Sequence, residues 1–323
     1  MSIATTLPPT FEPFARGLHR PECVLGTPVG DVFVPDWRGG VAVVRADGRQ
    51  DAWLAKNPGF ELRPNGIALN ADGSFLLANL GDTGGIWRLD QQGALTPWLA
   101  EVDGVPLPPA NFVSIDSHGR TWITVSTRCR PRQLAWRADV ADGFVVLVDQ
   151  RGARIVADGL HYTNECRPDP SGEWLYVVET FGRRLTRFPM TQAGQLKSPE
   201  IVLTLGHGSW PDGFAFDQER GVWVTSLISN RLLRFDGKTL HTIVEEANTA
   251  HIDRVEEAFA SGRMGAEHLG PIPGTRLQHV TSVAFGGADL RTTYVGCLHT
   301  DCIFRFRSEV PGAAPPHWRL ALP

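Results

Sequence analysis

Lysine is scarce in this sequence. Lys56, Lys197 and Lys238 are the only lysines among 31 basic residues, and none lies in an apolar, strand-like segment. A lysine becomes a nucleophile when burial lowers its pKa, so this distribution disfavours Schiff-base chemistry. The Gly-x-Ser-x-Gly motif of serine hydrolases is also absent. The sequence therefore does not predict a covalent mechanism of either kind.

Paired cysteine motifs are absent too. The five cysteines, which are odd in number and include no Cys-x-x-Cys pair, are Cys23, Cys129, Cys166, Cys297 and Cys302. This pattern predicts neither a disulfide framework nor a structural zinc site. Cys297 and Cys302 could face each other across a hairpin, but two buried thiols are the favoured interpretation.

Long apolar runs and a basic excess are the remaining absences. No apolar run approaches the roughly 18 residues of a membrane-spanning helix, and the first residues do not resemble a signal peptide. The net charge of -4 and the pI near 6.2 provide no basic field for nucleic acid or an anionic membrane. We expect a cytoplasmic protein with a small-molecule ligand. The oligomeric state is left open.

One pattern recurs along the whole chain: a polar residue, an alternating apolar run, a glycine turn and a β-rich run. The polar residues of the first five occurrences, here called the ring positions, are Glu22, Asn65, Asn111, Asn164 and Asp212. A degenerate sixth occurrence begins near Thr281. The turn glycine follows eight residues after the polar residue in four units and nine residues after it in the fifth. Each unit has the signature of a β-hairpin.

Units of roughly 40 to 50 residues with up to four antiparallel strands are typical of propeller blades. The sequence therefore predicts an all-β fold, a single six-bladed β-propeller over residues 1–323. A strand from before Glu22 or from after Ile303 is expected to close the ring of blades.

Two segments interrupt the repeat, at residues 127–141 and 247–272. In the second, apolar residues at helical spacing predict a helical insertion between blades 5 and 6, near Ala250 to Ser261. These insertions either cover blade edges or act as lids over the channel.

Residues in the same phase of each blade lie at the same depth of a propeller channel, so the ring positions should converge. Two carboxylates and three carboxamides without basic partners require a hard cation or water between them. Such an all-oxygen set suits one divalent ion, Ca²⁺, Mg²⁺ or Mn²⁺, with Zn²⁺ as an alternative. Asn65-Gly66 and Asp212-Gly213 could equally be turns, whereas Glu22 and Asn164 do not precede glycine.

These motifs, taken in order, resemble the SMP-30/gluconolactonase/LRE-like family over about residues 20 to 306. The residues that carry the resemblance are Pro21-Glu22, Pro64-Asn65-Gly66, Asn111, Asn164 and Pro211-Asp212-Gly213 with Asp217 and Trp223. The resemblance implies a six-bladed propeller in which Glu22, Asn164 and Asp212 hold a divalent ion, with Ca²⁺ favoured. It also implies that Asn111 contacts metal or substrate and that Asp212 is a candidate general base. Either Asp212 or a metal-bound hydroxide could then deliver the attack.

The chain departs from sugar-lactone members of that family at two places. Such members tend to carry Glu-Gly-Pro and Arg-x-Asn-Asp-Gly, where this chain has Glu22-Cys23-Val24 and Pro109-Ala110-Asn111-Phe112-Val113. The missing arginine and aspartate, together with an apolar rim at Phe112, predict a less polar lactone than gluconolactone.

The function predicted from these residues is a metal-dependent hydrolase that opens a lactone or related ester with water activated by the ion. An organophosphate hydrolase on the same site and a non-catalytic binding scaffold are the alternatives. Candidate substrate-binding residues, chosen by their place beside the ring positions or on the returning strands, are Asn65, Phe112, Arg128, Glu165, His161 and His279. The strand after each turn returns to the face of the ring position, so further residues are expected near the channel mouth, namely Asp36, Trp37, Asn79, Thr127, Glu179 and His299.

Overall fold

Six antiparallel sheets surround a central channel in the computed structural model, which describes residues 2–320. The first strands are β1 (Ile3–Thr6), β2 (Glu12–Arg16), β3 (Leu25–Gly26), β4 (Val32–Asp36), β5 (Gly40–Val44), β6 (Gln50–Leu54), β7 (Pro64–Leu69), β8 (Phe75–Asn79), β9 (Ile86–Leu89), β10 (Leu95–Leu99), β11 (Glu101–Val102), β12 (Val105–Pro106), β13 (Phe112–Ile115) and β14 (Thr121–Val125). The remaining strands are β15 (Gly143–Asp149), β16 (Gly152–Leu160), β17 (Thr163–Pro168), β18 (Trp174–Glu179), β19 (Arg184–Pro189), β20 (Glu200–Thr204), β21 (Pro211–Phe216), β22 (Val222–Ser226), β23 (Arg231–Phe235), β24 (Leu240–Asn248), β25 (Val280–Gly286), β26 (Thr292–Cys297) and β27 (Cys302–Arg307).

The sheets form a six-bladed propeller, as the repeat predicts. Blades 1 to 5 contain β3–β6, β7–β10, β13–β16, β17–β20 and β21–β24, while blade 6 contains β25–β27. The N-terminal strand β2 completes blade 6 by pairing with β27, with Phe14 opposite Ile303. The strand that closes the ring therefore comes from before Glu22, one of the two expected sources. Strand β1 adds a fifth strand to blade 5.

Acidic residues in the inner hairpin turns stabilise the blades through side-chain hydrogen bonds. The Asp116 carboxylate accepts hydrogen bonds from Trp122 Nε1 (2.9 Å) and Arg120 Nε (2.6 Å). Asp217 accepts equivalent bonds from Trp223 Nε1 (2.8 Å) and from Arg234. These turns lie at the end of the inner strands opposite to the ring positions, so Asp217 is a structural residue of blade 5.

The two insertions pack against each other. Helix α1 (Thr249–Ala260) lies between β24 and β25, and short 3-10 segments occur at Arg132–Ala135, Ala266–Leu269 and Pro316–Arg319. Ile252 and Val255 of α1 belong to one hydrophobic cluster with Trp136 of the first insertion and Trp210 of blade 5. This cluster covers one end of the channel.

Two further features bear on earlier expectations. All five cysteines are free thiols, and Cys297 and Cys302 are both buried, as the favoured interpretation predicts. Across residues 2–320, no helix has the length and apolar character needed to cross a membrane.

Candidate metal centre and substrate cavity

Three of the five ring positions, Asn65, Asn164 and Asp212, lie where the inner strands are irregular, and Glu22 and Asn111 precede their inner strands. The pairing register shifts between Pro64 and Ile67 in β7, between Thr163 and Cys166 in β17, and between Pro211 and Phe214 in β21. Such bulges re-aim side chains that would otherwise alternate across the strand. Asn65-Gly66 and Asp212-Gly213 therefore lie within bulged strands, and the alternative interpretation as turns is wrong.

The glycines of these two pairs are explained by close packing. A Cβ atom on Gly66 would lie 2.6 Å from the Cα atom of Phe112, and one on Gly213 would lie 2.4 Å from the carbonyl oxygen of Thr281. Neighbouring inner strands approach too closely there for any side chain. These glycines therefore allow the inner strands of neighbouring blades to lie in direct contact.

A cavity of about 380 Å³ brings four of the five ring positions together. The side chains of Glu22, Asn111, Asn164 and Asp212 line it, and each of these residues is at least nine-tenths buried. Asn65 lies behind the cavity wall, where its Nδ2 donates to the backbone oxygen (3.0 Å) and Oδ1 (3.3 Å) of Asn111. Asn65 therefore positions Asn111 and does not face the cavity.

Asp212 is a buried carboxylate without a partner. The residue is 3% exposed, and its carboxylate makes no hydrogen bond or ion pair with any residue in 2–320. Burial, together with the negative charges of Glu22 and Glu165, raises the pKa of Asp212 well above its usual value. The positive charges of Arg20 and Arg132 act in the opposite direction but do not cancel this effect, so the chain compensates the negative charge only in part.

Each of the other three cavity residues keeps an oxygen lone pair for a ligand, although the Asn111 amide oxygen also accepts a hydrogen bond from Asn65 Nδ2 (3.3 Å). Arg20 Nε and Nη2 each contact Glu22 Oε2 at 2.8 Å, so Glu22 Oε1 is available to another partner. Asn164 Nδ2 donates to Thr180 Oγ1 (3.2 Å), so the Asn164 amide oxygen is left for another partner.

The side-chain amide of Asn111, like that of Asn164, is oriented by a hydrogen bond from its nitrogen to a hydroxyl oxygen. Its Nδ2 donates to Ser126 Oγ (3.0 Å), which directs its amide oxygen away from that contact. The four residues together offer only oxygen donors, including two carboxylates, and this set fits a hard divalent cation. Within residues 2–320 no group of three or more His, Cys, Asp or Glu side chains could hold a metal ion, so a cation at this place would need amide oxygens beside the two carboxylates.

Strained backbone occurs two residues before the polar residue in three of the six blades. Arg20 (φ 58°), Tyr162 (φ 61°) and His279 (φ 61°) adopt the left-handed conformation, two residues ahead of Glu22, Asn164 and Thr281. Such strain in bulky residues persists only where the surrounding structure enforces it, and it is concentrated at functional sites.

Three of the predicted substrate-binding residues lie away from the cavity. Phe112 is 1% exposed in the core between blades 1 and 2, because it follows the inward-facing Asn111 and side chains alternate along a strand. Arg128 makes a surface ion pair with Asp158. His161 contacts Glu179 of blade 4. The expectation of an apolar rim at Phe112 is therefore corrected.

The two remaining candidates are buried beside the cavity without lining it. Glu165 accepts hydrogen bonds from Arg167 (2.9 Å) and from the backbone of Phe214 (3.3 Å). His279 Nε2 contacts the carbonyl oxygen of Gly270 at 2.8 Å. Of the residues that the hairpin geometry placed near the channel mouth, Trp37 and His299 line the cavity, whereas Asp36, Asn79, Thr127 and Glu179 do not.

Sequence reasoning missed most of the cavity wall. The first insertion contributes Arg132 and Trp136, and the second contributes Met264 and Leu269. Aromatic residues of blades 4 and 5 complete the wall, namely Tyr162, Phe181 and Trp210. Both insertions therefore form part of the cavity wall. In the sequence, only their aromatic and arginine residues indicate this role.

Comparison with known proteins gives the family. Residues 33–251 match the SMP-30/Gluconolactonase/LRE-like region. The chain belongs to this family. A 6-deoxy-6-sulfogluconolactonase of Pseudomonas putida is 28% identical over 269 residues, covering 77% of this chain and 78% of the relative.

Solved structures share the fold of this SMP-30/gluconolactonase/LRE-like chain. Regucalcin, a calcium-binding protein from Agrobacterium tumefaciens strain C58, has a TM-score of 0.66 at 20% identity and covers 96% of this chain and 95% of its own. A gluconolactonase from Xanthomonas campestris has a TM-score of 0.63 at 17% identity, covering 97% and 98%. The family match includes Asn111, Asn164 and Asp212, while Glu22 precedes it.

Proposed function

We propose that this chain hydrolyses a lactone with the help of one divalent cation held by Glu22, Asn164 and Asp212, with Asn111 as a further ligand. The observation that carries the proposal is the buried, unpartnered carboxylate of Asp212 opposite a second carboxylate, Glu22. Family membership and the lactonase relative support the choice of reaction. Among the metals, Ca²⁺ suits the all-oxygen donors best, and Mg²⁺, Mn²⁺ and Zn²⁺ remain to be compared.

When bound, the cation supplies Lewis acidity that polarises the lactone carbonyl and stabilises negative charge on its oxygen. The chain supplies the rest. An Asp212 Oδ atom accepts a proton from the attacking water, and the ring opens to a hydroxy acid. Arg20 holds Glu22, while Ser126 and Thr180 hold the two asparagine amides.

The wall of the cavity sets the shape of the substrate. Trp136, Tyr162, Phe181 and Trp210 give it a largely aromatic surface. An alkyl or aryl ring buries apolar area against this surface at roughly 25 cal/mol per Å², which a ring covered with hydroxyls does not. We therefore keep the expectation of a less hydroxylated lactone, with these residues in place of Phe112 as its basis.

The test is a panel of gluconolactone, a simple δ-lactone and an aromatic lactone, assayed after chelation and after addition of each metal. We expect no hydrolysis without metal, restoration by at least one divalent ion, and a higher kcat/KM for the less hydroxylated rings. Full activity in verified metal-free protein would contradict the metal proposal, and a clear preference for gluconolactone would contradict the account of the wall. No hydrolysis with any metal would favour the binding scaffold. The comparisons give no support to the organophosphate alternative.

A further inference from the structure

Arg132 differs from the other arginines of the cavity. Arg20 contacts Glu22 and Arg63 contacts Glu61. Arg132 also lines the cavity, yet no carboxylate of residues 2–320 lies within 4.0 Å of it. A half-buried guanidinium is a strong donor that normally has an anionic partner.

The guanidinium is held by neutral oxygens only. Its Nε donates to Tyr162 Oη (2.8 Å), and its Nη2 makes a longer contact with Ser126 Oγ (3.4 Å). Ser126 Oγ also accepts from Asn111, so Arg132 lies next to the proposed metal ligands. The Nη1 atom has no partner among the described residues, and the two Nη atoms together can hold two oxygens of one anion.

The Tyr162 hydroxyl adds a third donor. Its oxygen accepts hydrogen bonds from Arg132 Nε and from Trp136 Nε1 (3.0 Å). Since the oxygen is engaged as an acceptor twice, its hydrogen is directed elsewhere, and no residue in 2–320 accepts it. Tyr162 lines the cavity, so this hydrogen is available to a ligand there.

With the proposed cation in place, charge in the cavity favours an anion. Arg20 and Arg63 contact Glu22 and Glu61, so Arg132 and Asp212 are the two charged side chains of the cavity without a close partner. A cation held at Asp212 would balance that carboxylate and leave the positive charge of Arg132 for an anion. The aromatic wall lowers the local dielectric constant and strengthens the attraction.

We infer that Arg132 and the Tyr162 hydroxyl form a subsite for an oxyanion substituent, a carboxylate or a sulfonate, carried by the lactone substrate. This inference rests on the proposed lactonase function and names its substrate class. Arg132 acts there in specificity, through binding of a group remote from the carbonyl that reacts.

Binding of non-hydrolysable lactams tests the subsite without requiring turnover. Three δ-lactams that differ only in a terminal carboxylate, sulfonate or carboxamide are titrated by calorimetry, with saturating Ca²⁺ and again with chelator. We expect wild type to bind an anionic lactam at least about 10-fold more tightly than the carboxamide. Arg132→Met should bring this ratio near one, because binding of the anionic lactams falls much more than binding of the carboxamide, and Tyr162→Phe should reduce it in part. The two anionic probes identify which oxyanion is preferred.

Arg137→Gln is the matched control, because Arg137 lies in the same insertion and makes an exposed ion pair with Asp139. It should keep the wild-type ratio. Equal binding of all three lactams to wild type would overturn the subsite, as would an equal loss for all three in Arg132→Met. A preference that survives Arg132→Met but disappears on chelation would assign the anion to the cation and also overturn it. Retained anion preference without hydrolysis of the matching lactones would instead reject the proposed function alone.

Discussion

Arg183 and Glu256 form a bidentate ion pair between blade 4 and helix α1, with N to O distances of 3.0 and 2.7 Å. The Arg183 guanidinium also lies over the ring of Trp210, 4.0 Å from its centroid. Both charged side chains are less than one-fifth exposed. The pair therefore holds α1 against the aromatic wall of the cavity.

Glu256→Gln should loosen α1, because it leaves the largely buried Arg183 charge without its carboxylate partner. We expect the protein to lose about 1 to 3 kcal/mol of unfolding free energy. Amide hydrogen exchange should rise in residues 249–269 before it rises in blades 1 and 2. Glu257→Gln is the control, since Glu257 is exposed and its contact with Arg263 is 3.8 Å long. Equal effects of the two substitutions would show that the ion pair does not hold the helix.

Glu22→Gln should weaken divalent metal binding by more than about 100-fold, because it removes one of two anionic ligands. Asn65→Ala should cost about 10-fold, since Asn65 acts through its hydrogen bonds to Asn111. Calorimetric titration of both variants with Ca²⁺ measures the difference. If the two losses match, the ranking of these residues by their contact with the cavity is incorrect.

Asp212→Asn should have opposite effects with and without metal. In metal-free protein it removes a buried negative charge that faces Glu22 and Glu165, so thermal stability should rise by about 1 to 3 kcal/mol. With saturating Ca²⁺ the variant should gain less stability than wild type, and its kcat should fall by about 10²-fold or more. Thermal denaturation with and without chelator provides the measurement.

The exposed change Asp253→Asn is the control for Asp212→Asn and should leave both stabilities unaltered. Loss of stability in metal-free Asp212→Asn would mean that its carboxylate is compensated within the chain. The proposed cation would then have no uncompensated charge to balance.

His279 should make the fold sensitive to mild acid. Burial lowers the pKa of His279 from 6.5 to about 4, with smaller contributions from His299 and His251, while the Gly270 carbonyl acts in the opposite direction. Between these values the unfolded chain binds a proton that the folded chain does not, so stability falls as the pH decreases from about 6.5 to about 4. The loss attributable to this residue is about 2 to 4 kcal/mol.

His279→Asn should flatten this part of the stability profile, and asparagine tolerates the left-handed backbone at that position. Urea unfolding at several pH values between 4 and 7.5 measures the slope. His207→Asn, a change at an exposed histidine, should keep the wild-type slope. An unchanged slope in His279→Asn would refute the assignment.

The convergence of Glu22, Asn111, Asn164 and Asp212 could be predicted because a repeated blade places equal phases at equal depth. The position of Phe112 follows from the alternation of side chains next to an inward-facing residue. For Gly66 and Gly213, local preference indicates a turn, and only the contact between neighbouring blades, which is distant in sequence, reverses this interpretation.

The placement of side chains in the insertions could not be predicted from the repeat. Arg128 and Arg132 are four residues apart in a segment without periodicity, and composition does not distinguish the one that faces solvent from the one that faces the cavity. Their placement depends on the contact between Arg132 and Tyr162, 30 residues away in the chain. Tertiary packing thus decides which of the two arginines lines the cavity.

The recurring bulges also affect how such a site can evolve. Blade 6 has the same register shift, between Val280 and Ser282, and Thr281 occupies the place that Asn164 and Asp212 hold in their blades. Since the backbone irregularity is independent of the side chain it presents, a point mutation at any of these places alters the chemistry of the channel without a change of fold. Selection can therefore exchange acids, amides and hydroxyls one blade at a time, and a single architecture can diversify into catalysts of different specificity.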